Sequence, residues 1–242
     1  MDRTGEQSRR YYLLDELRGL AVIAMVAYHA LFLLSEVFGY PLMQTWFEAA
    51  RPVQPFIAGT FILVCGICCR LSRSNLKRGI KLAGFALGLS LGTFLIAWLG
   101  IFNGVIIFGI LHFLAVAILL FFLLRKLLDK IPAAIQVPAF AALFFATYFI
   151  TLPVTENLLL YVVGFQSFAW RSADYFPLIP WLFLFFAGTG IGIWAKQGRF
   201  PAWFDTARIR PLRFAGKHAI WIYLAHQPVL FGLVMLWIFI VP

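Results

Sequence analysis

The sequence has few charged residues. Asp, Glu, Lys and Arg make up 12% of its 242 residues, whereas hydrophobic residues make up 62% and aromatic residues 18%. A soluble domain has about 25% charged and roughly 45–50% apolar residues. A soluble protein of this composition could not cover its core with polar surface, which excludes a water-soluble globular fold. No stretch is polar and long enough to be a linker or a soluble module, so we expect a single membrane domain over residues 1–242.

Cysteine is also scarce, and the three cysteines lie within five positions of one another, as Cys65, Cys68 and Cys69. The spacing of Cys65 and Cys68 is one that redox and metal sites use. However, no second ligand pair exists, and no cation within the same apolar run would stabilise a thiolate. We interpret the cysteines as small packing residues and expect no metal.

Long apolar runs are abundant. A membrane-spanning helix needs about 20 mostly apolar residues, and seven segments fit this description, although the second is short. They are Leu17–Val37, Pro55–Cys69, Leu82–Leu99, Val105–Leu124, Ala133–Leu152, Leu178–Ala195 and Ala219–Ile240. We therefore predict an all-α, polytopic transmembrane helical bundle of about seven spans in the cytoplasmic (inner) membrane. The less uniform stretch Pro153–Pro177 is predicted to be an outer loop, with an apolar part, Leu158–Phe168, in the membrane interface or dipping into the bilayer.

The basic residues are unevenly distributed between the two sides of the predicted bundle. With the N-terminus in the cytoplasm, only Arg51 and Arg171 of the 20 Lys and Arg residues fall outside. This is the asymmetry that the positive-inside rule predicts, so we place the N-terminus in the cytoplasm and the C-terminus outside. Inner loops that face anionic lipid explain most of the net charge of +10, and no nucleic-acid partner is expected. The first apolar run is too long for a signal peptide, so we expect a permanent helix there.

Glycines recur at four-residue spacing in two of the predicted spans. Gly84, Gly88 and Gly92 follow one another in the third span, and Gly188 and Gly192 in the sixth. Such spacing lets two helix backbones approach closely in lipid. We expect close helix packing at these positions, either within the chain or in a homo-oligomer.

Three histidines lie inside predicted spans: His29 in the first, His112 in the fourth and His226 in the seventh. At about 1.5 Å of rise per residue, all three are within roughly 5 Å of the membrane midplane. Ionisable side chains at this depth are costly and mark functional sites, so the three histidines are candidates to converge on one site. The alternative is that each is a satisfied hydrogen-bonding group between helices. Metal binding is not favoured, because no carboxylate or thiolate is placed to complete a site.

The first span carries a line of polar residues. Arg18 and His29 are 11 positions apart, nearly three whole turns, and therefore share one face of the helix. Asp15 and Glu36 fall within about 40° of the same face. A helix exposed to lipid all round would not have this line, so we expect this face to meet the bundle interior or a wet cavity.

Several motifs resemble a known family of membrane enzymes. Arg18, ten further residues and His29 are similar to the first-helix signature of the transmembrane acyltransferase-3 superfamily. The remaining motifs more closely resemble the bacterial branch of the heparan-α-glucosaminide N-acetyltransferase catalytic-domain family, and they occur in order across almost the whole chain. They are Gln54–Phe56, Gly59–Ile62, Leu71–Gly79, Phe108–Leu114, Phe176–Trp181, Gly216–His218 and Ile222–Pro228, whereas Leu14–Val22 resembles the first helix of transmembrane acyltransferases. One departure is Leu33, where the resemblance leads us to expect an acidic residue one turn after the histidine; Glu36 is the candidate to replace it.

The resemblance implies an acyl-CoA-dependent transmembrane acyltransferase. The donor would be cytoplasmic acyl-CoA, above all acetyl-CoA, and the acceptor an amine or hydroxyl outside the cytoplasm, on a glycan or a lipid-linked molecule. His29 would be the general base or carry the acyl group transiently, while His112 and His226 would orient it or polarise the thioester, and Glu36 would supply the missing carboxylate. The residues expected to bind the phosphates of CoA are Arg18, Arg70, Arg73, Asn75, Lys77 and Arg78. Arginine suits such contacts because it can bind phosphate with two parallel hydrogen bonds.

Two other functions remain open from the sequence. The histidines could form a proton or substrate path in a multi-spanning transporter, although the chain shows no inverted repeat and seven spans do not divide into equal halves. A non-catalytic membrane assembly subunit is also compatible with the composition, but it leaves the mid-membrane histidines unexplained.

Overall fold

The computed structural model describes residues 11–101, 104–206 and 208–240, most of which are helical. The α-helices are α1 (Tyr12–Phe32), α2 (Pro41–Ala50), α3 (Gln54–Leu71), α4 (Asn75–Trp98), α5 (Ile110–Leu128), α6 (Ala133–Tyr148), α7 (Leu158–Val163), α8 (Leu178–Lys196), α9 (Arg210–Lys217) and α10 (Ala219–Ile240). A π-helical segment, Leu33–Val37, continues α1, and short 3-10 helices occupy Arg51–Val53 and Ala202–Phe204. The described residues contain no β-strand.

Six helical segments of the described chain are long and apolar enough to cross a membrane, and α6, with 16 residues, is a shorter apolar helix. This confirms the prediction of a polytopic helical bundle. Two predicted boundaries are wrong. The second segment is not short, because α2, a 3-10 turn and α3 together cover Pro41–Leu71. The fourth helix begins at Ile110 rather than Val105, because the apolar residues before it are not helical and Gly109, just before the helix, is extended.

The chain forms two compact units, and their boundary falls within α3. The first unit contains the residues up to Val64 and those from Gly198 onward; the second contains Cys65–Gln197. That the whole chain is one functional domain stays a prediction.

In the first unit, α1 packs against α9 with almost no space between the backbones, and it also contacts α10. A Cβ atom built on Gly19 would lie 1.8 Å from the carbonyl oxygen of Leu212, and one on Gly216 would lie 1.8 Å from the carbonyl oxygen of Asp15. Further along, Val22 packs with Ala219. Gly19 faces Gly216, Val22 packs with Ala219 and His29 lies beside His226, so the residue numbers of the two segments increase together and α1 and α10 run parallel. The first and last spans of a bundle with an odd number of spans must also run in the same direction, as the predicted topology requires.

In the second unit, two antiparallel helix pairs form the packing. Helices α4 and α5 meet where Gly79 faces Leu119, and α6 meets α8 where Gly190 faces Val137. The C-terminal part of α3 also touches α8, since a Cβ on Gly192 would lie 2.7 Å from the carbonyl oxygen of Ile67. The close approach predicted for α8 is therefore confirmed.

The glycines of α4 behave differently from those of α8. A Cβ atom added to Gly84, Gly88 or Gly92 would have no other atom within 4 Å. The prediction that these three glycines mediate close packing inside the chain is wrong, because no helix backbone of the described residues approaches them. A role in a homo-oligomer stays a prediction.

The predicted outer loop is ordered by a small aromatic cluster. Within its apolar part only α7 is helical, and Tyr161 of this helix stacks on Tyr175 with ring centroids 4.4 Å apart. The Tyr175 hydroxyl donates to the carbonyl oxygen of Tyr161 at 2.6 Å. Burial raises the pKa of both phenols above the usual value for tyrosine. The hydroxyl oxygen of the neighbouring Ser172 accepts hydrogen bonds from the backbone N–H groups of Ile107 and Phe108, which holds the non-helical stretch before α5 in place.

Candidate active site

His29 and His226 form a pair within the first unit. Their ring centroids are 4.9 Å apart and the ring planes meet at 65°. The parallel packing of α1 on α10 produces this contact, because it places the residue ten positions after Gly19 beside the residue ten positions after Gly216. His226 is 7% exposed and His29 is partly buried. Two of the three predicted histidines are thus brought together.

Each ring of the histidine pair is oriented by a backbone carbonyl of its own helix. Nδ1 of His29 lies 3.2 Å from the carbonyl oxygen of Met25, and Nδ1 of His226 is hydrogen-bonded to that of Tyr223. Since a carbonyl oxygen only accepts, Nδ1 carries the proton in both neutral rings, and each Nε2 keeps its lone pair. Nε2 of His226 is buried and has no hydrogen-bond partner among the described residues. The pair therefore presents two proton acceptors, and that of His226 lacks a partner among the described residues.

Aromatic rings lie beside the pair, and an apolar groove lies further along the same helices. Tyr28 lies against His29 and against Phe47 of α2, with ring centroids 5.9 Å and 5.3 Å apart. On the C-terminal side of both histidines lies a groove of about 400 Å³ between α1, α2 and α10. We call it the apolar groove; it is lined by Ala30, Leu33, Leu34, Tyr40, Met43, Leu230, Leu233, Val234 and Trp237.

Glu36 lies in the π-helical segment that follows the histidine. The wider π turn, with Phe38 N–H bonded to the Leu33 carbonyl at 3.1 Å, rotates Glu36 away from the face that a regular helix would give it. Glu36 is exposed and forms no hydrogen bond with His29 within the described part of the chain. Its role as the orienting carboxylate stays a prediction, and a backbone carbonyl orients the ring in the structure.

His112 lies in the second unit and has a different environment. It occupies the first turn of α5, about 10 Å from the helix midpoint, so the predicted mid-span depth is wrong. Its Nδ1 accepts a hydrogen bond from Gly109 N–H at 3.3 Å, so its Nε2 carries the proton and donates to Ser90 Oγ at 3.0 Å. The Ser90 hydroxyl in turn donates to the carbonyl oxygen of Ile106 at 2.7 Å. Both ring nitrogens are engaged, and the arrangement joins α4 to the start of α5.

Arg18, predicted to bind CoA, lies where α1 meets α9. Its Nη1 is 3.4 Å from a carboxylate oxygen of Asp15 and 3.4 Å from the carbonyl oxygen of Gly216. The guanidinium thus helps to hold the end of α9 on α1, at the N-terminal end of the helices that carry the histidine pair.

Arg70 is buried in the second unit, at 4% exposure. It forms an ion pair with Asp129 at the end of α5, donates from Nε to the carbonyl oxygen of Thr189 at 3.1 Å, and lies over the ring of Phe121. Its Nη2 has no partner among the described residues. Asp129 is 59 positions away along the chain, and no sequence signal pointed to it.

The other predicted CoA ligands surround the N-terminus of α4. Arg73 and Lys77 are exposed, and the Lys77 N–H donates to the capping hydroxyl of Ser74 at 3.4 Å. Asn75 and Arg78 are tied to the end of α3, because the Asn75 amide donates to the Cys69 carbonyl at 2.9 Å and Arg78 to the Cys68 carbonyl at 3.4 Å. The loop therefore offers two exposed cations beside a helix N-terminus, where anions are favoured.

Among the described residues, no three His, Cys, Asp or Glu side chains are grouped as a metal site would require. The expectation that the protein uses no metal stays a prediction.

The family model for "heparan-alpha-glucosaminide N-acetyltransferase, catalytic" matches residues 10–228. The chain belongs to this family. The match extends from the polar start of the first span to the residues just after His226, and thus includes both members of the histidine pair and the basic loop. No curated protein and no solved structure matches the chain.

Membership of the heparan-α-glucosaminide N-acetyltransferase family, together with the apolar helices, identifies the chain as a multi-pass membrane protein of an acetyltransferase family. The resemblance drawn from the motifs is thereby confirmed at the level of the family. Placement in a bacterial branch, the relation to the acyltransferase-3 superfamily and location in an inner membrane stay predictions.

Proposed function

We propose that this protein transfers an acyl group, above all acetyl, from cytoplasmic acyl-CoA to an amine or hydroxyl of an acceptor outside the cytoplasm, such as a glycan or a lipid-linked molecule. The observation that carries the proposal is the His29–His226 pair. Two imidazoles whose Nε2 atoms keep their lone pairs lie inside membrane-spanning helices. Such groups are costly in a bilayer and suit proton transfer.

In this mechanism His29 is the general base. Its Nε2 takes the proton from the acceptor as the acceptor nitrogen or oxygen attacks the thioester carbonyl carbon. The tetrahedral intermediate collapses, the C–S bond breaks, and the leaving thiolate takes the proton from the imidazolium to give free CoA. Positioned general bases of this kind contribute about 10²–10⁴-fold to the rate.

His226 has a narrower role than the sequence suggested. In the neutral ring its only proton is on Nδ1 and is bonded to the Tyr223 carbonyl, so Nε2 cannot donate to a thioester oxygen. It can accept a hydrogen bond, and with His29 it provides two acceptors. A primary amine offers two N–H donors and a hydroxyl only one, so the pair favours an amine acceptor.

The cations of the second unit are proposed to bind the nucleotide head of the donor. Arg73 and Lys77 are exposed beside the N-terminus of α4, and Arg78 is partly buried next to them. Arg70 retains one buried N–H₂ group that has no partner among the residues the structure describes. Phosphate oxygens would satisfy these donors with charge-assisted hydrogen bonds. Asn75 supports this loop through its hydrogen bond to the Cys69 carbonyl, and Arg18 of the first unit is proposed to contact a phosphate of the same donor.

The test compares single variants in purified, reconstituted protein. We expect His29→Ala to lose at least about 100-fold in transfer from radiolabelled acetyl-CoA to an amine on the far side of the vesicle, because the base is removed. His226→Ala should lose less, since it orients the acceptor. His218→Ala is the matched control, because His218 is exposed and its Nδ1 bonds a carbonyl of its own helix in the same way. Full activity of His29→Ala would overturn the proposal, and substrate uptake without CoA would favour a transporter.

A further inference from the structure

Helix α9 has one face packed on α1 and another that is exposed. On the packed face, Ala215 and Gly216 are buried against α1. On the exposed face lie Arg210, Phe214 and Lys217, whose spacing of four and then three residues places their side chains on one side of the helix. We call these three residues the basic–aromatic face. The same short helix thus contacts α1 on one side and presents two cations and a ring on the other.

The basic–aromatic face lies where the chain enters the membrane. Helix α10, which is long and apolar enough to cross a bilayer, begins at Ala219, directly after the end of α9. Across the contact with α1, Arg18 donates a hydrogen bond to the Gly216 carbonyl, and the apolar part of α1 begins at the next residue. Both segments therefore change from charged to apolar at one level, as expected where lipid headgroups meet the hydrocarbon.

The two cations of the face have no counter-ion within the described part of the chain. Neither Arg210 nor Lys217 forms an ion pair there. Arg213 lies between them in sequence, with its guanidinium 5.3 Å from the ring centroid of Tyr12. Like charges three or four residues apart on a helix repel one another. An external anion at the exposed face would relieve this repulsion and stabilise α9.

Exposed apolar side chains beside these cations indicate which anion fits. Phe214 lies between the two cations and is 65% exposed, and Ile209 and Trp203, which precede it, are 49% and 47% exposed. Cations interspersed with exposed aromatic and aliphatic side chains are typical of helices on anionic lipid, because the rings enter the headgroup boundary while the cations meet phosphates. A nucleotide phosphate from solution would neutralise the cations but leave these apolar side chains in water.

We propose that the basic–aromatic face is a binding site for anionic phospholipid, with headgroup phosphates at Arg210 and Lys217 and the Phe214 ring at the hydrocarbon boundary. The predicted topology places it on the cytoplasmic side, whose leaflet carries anionic lipid. The opposite side of α9 holds α1 at Gly216, ten residues before His226. Bound lipid therefore stabilises the helix contact that positions the histidine pair.

The experiment titrates the purified protein in neutral detergent with phosphatidylglycerol and follows the thermal midpoint. Phosphatidylglycerol is expected to raise the midpoint more than phosphatidylcholine does at equal concentration, because ligands that bind only the folded state stabilise it. Each cation near an anionic lipid surface improves binding about fivefold, so Arg210→Gln combined with Lys217→Gln should weaken the apparent affinity for phosphatidylglycerol about 25-fold. Phe214→Ala should weaken it as well, because the inserted ring is lost.

The matched control is Lys126→Gln combined with Lys130→Gln. Both lysines are exposed near the end of α5, and the change removes the same amount of charge from the predicted cytoplasmic side. This control should keep the wild-type affinity for phosphatidylglycerol. If the Arg210→Gln/Lys217→Gln variant does not fold, the wild-type protein at about 1 M salt, where the screening length falls to about 3 Å, should bind phosphatidylglycerol more weakly than at low salt.

Four results would overturn the inference. Equal effects of phosphatidylglycerol and phosphatidylcholine, or binding that does not change with salt, would show that charge does not select the lipid. An equal loss in the Lys126→Gln/Lys130→Gln control would show that net charge alone is responsible. If instead CoA, titrated in the same way, loses its effect in the Arg210→Gln/Lys217→Gln variant while phosphatidylglycerol keeps its effect, the face is a nucleotide site. No arm measures acyl transfer, so failure here leaves the proposed function standing, and failure of that function leaves the lipid site standing.

Discussion

The contact between α1 and α9 gives a sharp test of how the histidine pair is positioned. In Gly216→Ala, the new methyl group would lie 1.8 Å from the carbonyl oxygen of Asp15, whereas real Cβ atoms essentially never come within 3.0 Å. The obstacle is backbone and cannot rotate away, so the two helices must separate by about 1.2 Å. Overpacking of this kind costs about 1–3 kcal/mol, and a rigid obstacle places this variant at the upper end.

The expected result is a loss of stability together with a loss of activity. We expect Gly216→Ala to lower the thermal midpoint in detergent by several degrees, since about 3 kcal/mol corresponds to that shift in a chain of this size. The separation should also increase the distance between the rings of His29 and His226, which lie ten positions further along the chain from Gly19 and Gly216. Transfer activity should therefore fall more than stability alone explains at a temperature where the variant is folded.

Two further variants decide whether the reasoning is right. Gly19→Ala meets the Leu212 carbonyl at the same crossing, so the double variant with Gly216→Ala should cost clearly less than the two single costs combined. Gly88→Ala is the control, because nothing lies within 4 Å of its new methyl group, and it should be neutral or stabilise by up to about 1 kcal/mol. Wild-type stability of Gly216→Ala, or full additivity of the pair, would refute the close crossing.

Two other expectations concern the second unit. Asp129→Asn should destabilise the protein by about 1–3 kcal/mol in chemical or thermal unfolding, because Arg70 remains buried without its charged partner while Asp129 itself is half exposed. Arg125→Ala, which removes only the outer member of that ion-pair group, should cost under about 1 kcal/mol. His112→Gln should lower stability while leaving the pH dependence of transfer unchanged, because both ring nitrogens serve hydrogen bonds; a changed pH–rate profile would instead make His112 a base.

Much of the architecture could be predicted because apolar length and charge asymmetry are direct consequences of the bilayer. Apolar length predicted the helices, and charge asymmetry predicted that the first and last spans run parallel. Helical periodicity predicted that His29 lies on an inward face. The pairing with His226 follows from two helices of equal direction whose histidines lie ten residues after a glycine contact. The contact between Gly19 and Gly216 could not be predicted, because neither glycine has another glycine four residues away to indicate close helix packing.

The remaining parts depend on features that hydrophobicity does not report. Residues 105–108 are as apolar as the helix that follows. The sequence therefore did not indicate that the helix begins only at Ile110, which places His112 in its first turn. The amino-acid composition of Leu33–Val37 does not indicate the π turn that changes the position of Glu36. Arg70 appeared to be a free ligand because its partner, Asp129, is distant in sequence and becomes a neighbour only through folding.

The orientation of the two imidazoles also limits how much charge the site can hold. Both Nδ1 protons are committed to backbone carbonyls, and the rings are 4.9 Å apart, so a proton on one Nε2 opposes a second proton on the other. The pair can therefore store one proton at a time. In the proposed reaction that proton must leave with CoA before another acceptor can be deprotonated. Release of CoA would then return both imidazoles to the neutral form. The same step that releases CoA therefore also prepares the pair to deprotonate the next acceptor.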